Sequence, residues 1–243
     1  MPDTVLFLDD GGVISDNNVR APQWQRLVGE FFPPLLGGRP EDWERANQEF
    51  TTALFEPAAW AARLSVTEDY ESFERSYFLD WLGGMCKLLD IPMPPEEESI
   101  ELARRASAWI TRQVRSDFPG AVDAVRLLHA RGYLLHTASG ESSSDLEGYL
   151  GAMGVRECFD RLYGPDLVHV MKAGPEFYRR VFADSGVRPQ DALVVDDSPN
   201  ALRWAAEVGA RTILIGKAPA PDVEGLVRTL GSLAELPGAL DTL

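Results

Sequence analysis

The sequence predicts an α/β fold in which a Rossmann-like parallel-sheet core carries an inserted α-helical cap domain. Two observations support this prediction. Four short apolar runs, each followed by glycine or by polar residues, alternate with helical patterns, as expected for buried parallel strands. Residues 17–117, which follow the first strand, contain no such run and show helical spacing instead. We therefore expect residues 1–16 and 118–243 to form the core and residues 17–117 to form the cap.

The predicted strands are continuously apolar rather than alternating, which is typical of strands covered on both faces. In chain order they are Val5–Leu8, Tyr133–Leu135, Ala192–Val195 and Thr212–Ile215. Apolar residues at helical spacing lie between them. The predicted core helices are Ala121–Ala130, Pro175–Ala183 and Asn200–Val208.

The inserted segment is predicted to hold four helices. They are Pro22–Leu36, Glu41–Phe55, a helix beginning at Ser65, and Glu96–Arg115. The third start rests on the capping-box spacing of Ser65 and Glu68. Five of the six tryptophans fall in this segment, and we expect them to form the core of a helical bundle.

The charge balance excludes several classes of partner. The chain carries 38 acidic and 23 basic residues, a net charge of −15, which disfavours nucleic acid and anionic membranes. No apolar stretch approaches the roughly 18 residues of a membrane helix, and the first residues do not resemble a signal peptide. We expect a cytoplasmic protein whose partner is a small molecule. The oligomeric state stays open.

The residues that follow the predicted strands carry most of the polar chemistry. Asp9 follows the first strand, Thr137 the second, and Asp196 and Asp197 the third. Parallel α/β sheets bind ligands at the carboxyl ends of their strands, so these groups should converge, with Lys172 leaning toward the same edge. Clustered carboxylates repel each other unless a cation lies among them, and oxygen ligands of this kind suit Mg²⁺.

Four motifs occur in a fixed order along the chain. They are Leu6–Val13, a strand that ends in Asp-x-Gly-Gly-Val; Tyr133–Thr137, a strand that ends in a hydroxyl residue; Lys172–Glu176, a lysine before a Pro-Glu helix start; and Val194–Asn200, a strand that ends in paired acids. With these motifs the chain resembles the haloacid dehalogenase-like hydrolase superfamily over nearly its whole length. The resemblance implies that the helical insertion is a C1-type cap, which closes over the site and selects the substrate.

The resemblance also implies roles for individual residues. Asp9 would be the nucleophile, forming an aspartyl-phosphate. Thr137 would hydrogen-bond the phosphoryl group, with Ser139 as the second choice for that role. Lys172 would bridge the nucleophile and the phosphoryl oxygens.

The remaining implied contacts concern the metal and the substrate. A Mg²⁺ ion would be held by Asp9, the main-chain carbonyl of Gly11, Asp196 and Asp197. The expected substrate contacts come from the loops that follow the first two strands. They are Asp10, Gly11, Gly12, Ala138 and Ser139.

One residue departs from the pattern of the superfamily's phosphatases. These carry a second aspartate two residues after the nucleophile, which protonates the leaving group, and this chain has Gly11 there. The first interpretation is a Mg²⁺-dependent phosphatase that acts on a small phosphorylated metabolite. In that case Asp10, Asp16 or a cap acid supplies the proton, or the substrate is an acyl or enol phosphate whose leaving group needs none.

Two further interpretations stay open. One is hydrolysis of a carbon–halogen bond or of a phosphonate carbon–phosphorus bond, the latter with Lys87 as a Schiff-base lysine. The other is a non-catalytic or regulatory protein that binds a phosphorylated metabolite.

Overall fold

The chain folds into two compact units. A computed structural model describes residues 4–67, 69–217, 220, 222 and 225–242. One unit comprises the described residues of Met1–Asn17 and Arg115–Leu243, and the other is Asn18–Val114. Within the described residues, the first unit contains all the strands and the second contains helices only. No helix in these ranges is both long enough and apolar enough to cross a membrane.

The first unit is built on a parallel sheet with six described strands. Strands β1 to β6 are Val5–Leu8, Leu135–Ala138, Arg161–Tyr163, Ala192–Asp196, Arg211–Ile215 and Leu226–Leu230. Their order across the sheet is β3-β2-β1-β4-β5-β6, and every neighbouring pair is parallel. The chain therefore extends the sheet in one direction from β1 to β3 and in the other from β4 to β6. Sheets of this kind bind ligands where the strand order reverses, here beside β1.

Helices connect the strands and make up the second unit. In chain order, α1 to α12 are Asn17–Phe31, Pro33–Leu36, Pro40–Leu54, Pro57–Ser65, Tyr70–Leu89, Glu96–Thr111, Ala121–Ala130, Ser143–Ala152, Pro165–Val168, Pro175–Ser185, Pro199–Glu207 and Leu236–Leu240. Strands β1 and β4 are apolar on both faces, and side chains of the core helices pack against them. Phe7 of β1 is fully buried and meets Phe182 of α10 edge to face at 5.2 Å between ring centroids. The predicted α/β class, with a parallel-sheet core and an inserted helical region, is confirmed.

The second unit has an aromatic core. Trp43 and Trp81 are almost completely buried, and Phe32 stacks on Trp43 with 4.9 Å between ring centroids. The Trp81 indole Nε1 donates a hydrogen bond of 2.8 Å to Oδ1 of the buried Asn47. The predicted tryptophan core is confirmed for Trp43 and Trp81, whereas Trp109 is exposed.

The predicted strands agree with the sheet except at one end and at two edges. The second strand begins at Leu135, two residues later than predicted, and the preceding Leu134 is exposed although its carbonyl accepts the Leu6 main-chain N–H at 3.0 Å. The sequence interpretation missed β3, which has only three residues, and β6, whose residues are mostly half-buried. Both lie at sheet edges, where the continuous apolar signal is lost.

The predicted helix start at Ser65 is wrong. Ser65 is the last residue of α4, and α5 begins at Tyr70 after the cap residue Asp69, whose carboxylate accepts the Ser72 main-chain N–H at 2.8 Å. Glu68, the other half of the expected capping box, lies outside the described residues. A nearby aspartate therefore provides the cap that the Ser65 spacing suggested.

Substitution of Asn47 tests the core of the helical unit. We expect Asn47→Ala to lower the free energy of unfolding by about 1–3 kcal/mol, because the buried indole N–H of Trp81 loses its acceptor. Urea unfolding followed by tryptophan fluorescence measures this. The exposed neighbour substitution Gln48→Ala is the control and should change stability by less than about 0.5 kcal/mol. Equal stability of the two variants would contradict the role of this hydrogen bond.

Candidate active site

The sheet places two aspartates side by side at its carboxyl edge. Leu8 of β1 pairs with Val195 of β4, so Asp9 and Asp196 are the next residues along neighbouring strands. The Asp9 main-chain N–H donates to the Val195 carbonyl at 2.9 Å and extends this pairing by one residue. The carboxyl edge predicted from the sequence therefore brings these two carboxylates together.

Lys172 joins the two carboxylates. It lies in the loop between α9 and α10, and its side chain is only 8% exposed. Its Nζ lies 2.7 Å from Oδ2 of Asp196 and 3.2 Å from Oδ1 of Asp9. The other carboxylate oxygen of Asp196 accepts the Ser198 main-chain N–H at 2.8 Å, which fixes the orientation of that carboxylate.

Burial and charge shift the pKa values of these groups in ways that follow from the geometry. Loss of hydration raises the pKa of Asp9 to about 6, and Lys172 offsets part of this effect. Burial likewise raises the pKa of Asp196. Burial alone would lower the pKa of Lys172, but the charges of Asp196 and Asp9 outweigh it and hold that pKa well above its usual value. Lys172 is therefore a fixed positive charge.

A third carboxylate completes a cluster that suits a cation. Oxygen atoms of Asp9, Asp196 and Asp197 lie within 4.8 Å of one another. Asp197 is exposed. Its pKa is raised mainly by partial desolvation and, to a smaller extent, by the negative charge of Asp9. Three carboxylates around one ammonium group leave an excess of negative charge, and a cation bound among them would remove the repulsion. The donor set is all oxygen, which fits Mg²⁺.

Gly12 is required where the loop passes Asp197. It has a φ of +82°, which lies in the left-handed region. A Cβ at this position would lie 2.1 Å from Oδ2 of Asp197, far inside van der Waals contact. The glycine therefore allows the third carboxylate to approach the loop that follows β1.

Gly11 lies next to a different side chain. A Cβ on Gly11 would lie 3.3 Å from Nδ2 and 3.4 Å from Oδ1 of Asn17, the first residue of α1. Sequence reasoning missed Asn17. The only signal was its position eight residues after Asp9, which identifies no role.

Asp10 is a buried structural group in this loop. Its carboxylate accepts the Ser15 hydroxyl at 2.9 Å, and its carbonyl accepts the main-chain N–H groups of Ile14 and Ser15. Asp10 is 0% exposed, so none of its atoms is accessible to a substrate in this structure.

The loop after β2 is also closely packed. Thr137, Ala138 and Ser139 are all buried. The Thr137 hydroxyl donates to the Tyr163 carbonyl at 3.2 Å, whereas the Ser139 hydroxyl accepts the Glu141 main-chain N–H at 3.3 Å. Among the described residues, the Thr137 proton therefore has an acceptor, whereas the contact given for the Ser139 hydroxyl uses only its oxygen.

Tyr178 is a second residue that sequence reasoning missed as part of the site. We assigned it to the apolar face of α10, where it is indeed buried. Its hydroxyl forms no hydrogen bond of normal geometry within the described residues. Burial raises its pKa, and the groups that act on it electrostatically are Lys172, Asp196 and Asp9. The available signal was that this tyrosine lies in the first turn of α10, two residues after the Lys172–Glu176 motif.

Comparisons with known proteins support the resemblance to this family. The family model for haloacid dehalogenase-like hydrolases matches residues 5–209. The chain is 28% identical over 149 residues to hexitol phosphatase B of Escherichia coli K12, and the match spans 59% of this chain and 66% of that protein. The family resemblance is confirmed.

Two solved structures share the fold. The L-2-haloacid dehalogenase of Xanthobacter autotrophicus aligns over 100% of both chains with a TM-score of 0.62 and 16% identity. CbbY from Rhodobacter sphaeroides, solved in complex with phosphate, aligns over 97% of this chain and 96% of that chain with a TM-score of 0.58 and 21% identity. At these identities the likeness shows the fold alone.

The steric requirement at Gly12 can be tested by stability. We expect Gly12→Ala to destabilise the chain by about 1–3 kcal/mol more than Gly186→Ala does, because of overpacking against Asp197. Gly186 also has a positive φ, +69°, but its Cβ would meet nothing within 4 Å, so it controls for backbone strain alone. Urea unfolding measures both variants.

A second substitution makes the same test more specific. Adding Asp197→Ala to Gly12→Ala removes the clashing carboxylate and should return the loss to that of Gly186→Ala. If the double variant were as unstable as Gly12→Ala alone, the close approach of Asp197 would not be the cause.

Proposed function

Since this chain belongs to the haloacid dehalogenase-like hydrolases, we propose that it is a Mg²⁺-dependent phosphatase that acts on a small phosphorylated metabolite through Asp9. The observation that carries the proposal is the position of Lys172, 3.2 Å from Asp9 and 2.7 Å from Asp196 beside the exposed carboxylate of Asp197. This arrangement offers a nucleophile, a fixed cation and a set of oxygen ligands at one edge of the sheet. One relative, hexitol phosphatase B of Escherichia coli K12, is a phosphatase, and the match spans 66% of its length.

The proposed metal ligands are Asp9, Asp196, Asp197 and the main-chain carbonyl of Gly11. A bound Mg²⁺ would neutralise charge on the phosphoryl oxygens, as it does in other phosphoryl-transfer sites. The carboxylate cluster supports this proposal because Lys172 balances only one of its three negative charges.

The chain's own groups supply the chemistry. A carboxylate oxygen of Asp9 attacks phosphorus and forms an aspartyl-phosphate. Lys172 holds Asp9 in place and attracts the phosphoryl oxygens. Hydroxyls of Thr137 or Ser139, together with main-chain N–H groups of the loops after β1 and β2, bind those oxygens.

The loop contacts that we propose for the substrate are those expected from the sequence. They are Asp10, Gly11, Gly12, Ala138 and Ser139. The contacts of Gly11 and Gly12 would be through the main chain, whereas Asp10 and Ala138 are 0% exposed and would have to become accessible when substrate binds. The helical unit, Asn18–Val114, is proposed to be the cap that selects the substrate.

The second candidate is hydrolysis of a carbon–halogen bond, since the chain is also 27% identical over 128 residues to (S)-2-haloacid dehalogenase 1 of Pseudomonas sp. strain CBS-3, a match that spans 56% of that protein. The acidic cluster argues against it, because a halide leaving group does not need three carboxylates arranged for a cation. Hydrolysis of a phosphonate would require a desolvated Schiff-base lysine, and Lys87 is exposed in the last turn of α5.

Replacement of the nucleophile tests the proposal. We expect Asp9→Asn to lower kcat on p-nitrophenyl phosphate by at least about 10⁴-fold, as loss of a nucleophile does. We also expect native activity to disappear with EDTA and return with Mg²⁺. The exposed Asp123→Asn variant has the same change in charge and should keep full activity. Phosphate release is the measurement, with halide release from 2-chloropropionate assayed in parallel.

Three outcomes would contradict the proposal. Unchanged phosphatase activity in Asp9→Asn would remove Asp9 as the nucleophile. Halide release without phosphate release would favour the dehalogenase. Phosphate binding without turnover on any substrate would favour a non-catalytic binding protein.

A further inference from the structure

Few of the described groups beside Asp9 could protonate a leaving group. Ester cleavage usually requires a positioned acid near the bond that breaks. The ammonium group of Lys172 is held by Asp9 and Asp196, and its side chain is 8% exposed. Asp9 is the proposed nucleophile, so it cannot be the acid in the same step.

The remaining polar groups of the site are committed in other ways. Asp10 is fully buried and accepts the Ser15 hydroxyl. The Thr137 hydroxyl donates to a main-chain carbonyl. A serine or threonine hydroxyl is in any case a poor proton donor at neutral pH. With Asp196 and Asp197 proposed as metal ligands, the described groups considered above would bind and attack a phosphoryl group but would not supply a proton to the leaving group.

Asn17 lies beside the position at which such an acid would be expected. Residue 11 is two positions after the nucleophile and has no side chain. The atoms nearest to a Cβ on residue 11 belong to the Asn17 carboxamide, whose nitrogen and oxygen would lie 3.3 and 3.4 Å away. Asn17 is exposed at the start of α1, so a ligand at this edge of the sheet could reach it. A carboxamide forms hydrogen bonds but does not transfer protons at neutral pH.

We propose that Asn17 takes the place of the acid–base group beside Gly11 and restricts the enzyme to phosphoryl donors whose leaving group departs as an anion. Acyl phosphates are the substrate class that fits this requirement, because their leaving group is a carboxylate. In this role Asn17 orients the leaving oxygen, or the water that follows it, by hydrogen bonding. The inference rests on the proposed function of Asp9.

The reaction balances without a proton donor. An Asp9 oxygen forms a bond to phosphorus as the bond from phosphorus to the leaving oxygen breaks, and its electron pair departs with the carboxylate. Water then attacks the aspartyl-phosphate at phosphorus and displaces the Asp9 carboxylate. Both protons of that water stay with the phosphate, which is released as dihydrogen phosphate.

The experiment introduces a carboxyl group at position 17 and measures how kcat/KM depends on the pKa of the leaving group. We would measure kcat/KM for the holoenzyme on acetyl phosphate, on a series of aryl phosphates with phenols of graded pKa, and on glycerol 1-phosphate. The native enzyme should show a steep decline as the leaving-group pKa rises. Asn17→Asp should flatten this decline and raise kcat/KM on glycerol 1-phosphate by at least about tenfold, a fraction of the 10²–10⁴-fold that a positioned acid supplies.

Asn18→Asp is the matched control, since it adds the same charge at the next position of the same helix. It should leave the slope against leaving-group pKa unchanged. Gly11→Asp is a less direct variant, because its Cβ would press on Asn17. A merely structural role of Asn17 would change activity on all substrates alike and would not move the slope.

Two results would overturn the inference. A shallow slope in the native enzyme would mean that an acid is present elsewhere, and Asp16→Asn would show whether Asp16 is that acid. An unchanged slope in Asn17→Asp, with inorganic phosphate still stabilising the variant against heat, would show that residue 17 does not face the leaving group. Failure of the proposed function itself would look different, since no phosphate would be released from acetyl phosphate or any aryl phosphate.

Discussion

The charged centre of this protein depends on one buried ammonium group. Lys172 lies between Asp9 and Asp196, and these three side chains come from the ends of β1 and β4 and from the segment before α10. Removing one partner from such a buried group costs several kcal/mol, because the remaining charges are desolvated without compensation. The ammonium cannot neutralise the cluster alone once Asp197 is included. This excess of negative charge is the reason that we propose these carboxylates as metal ligands.

Two adjacent glycines adapt the loop after β1 to this centre in different ways. Gly12 adopts a left-handed conformation and leaves room for Asp197, so it serves the carboxylate cluster. Gly11 has no such backbone requirement, and a Cβ at this position would press on the Asn17 carboxamide. In the proposed phosphatase, Gly12 would thus serve the binding site, while Gly11 would lack the acid that ester hydrolysis uses. The loop would then hold a phosphoryl group without presenting a general acid.

Much of this could be predicted from the sequence, for physical reasons that also define the limits. The buried strands β1, β4 and β5 were evident because continuous apolar runs have few alternatives, and the sheet then determined where Asp9, Thr137 and Asp196 meet. Strand β6 was missed because an edge strand lacks that signal. The helix start predicted at Ser65 was wrong because a capping residue is a short-range signal, and Asp69, four residues later, caps the helix instead. Asn17 and Tyr178 were missed because no local sequence pattern identifies them. Asn17 is linked to the site by its contact with Gly11, and Tyr178 by its electrostatic interaction with Lys172.

The central claim is that Asp9 accepts a phosphoryl group, and the most direct test is to trap it there. The native enzyme would be mixed with acetyl phosphate and Mg²⁺, quenched in acid within milliseconds, digested and analysed by mass spectrometry. We predict a phosphoryl group on the peptide that contains Asp9, at a level that falls as substrate is exhausted. Rapid release of phosphate with the phosphoryl group on another residue, or on none at any quench time, would contradict this account.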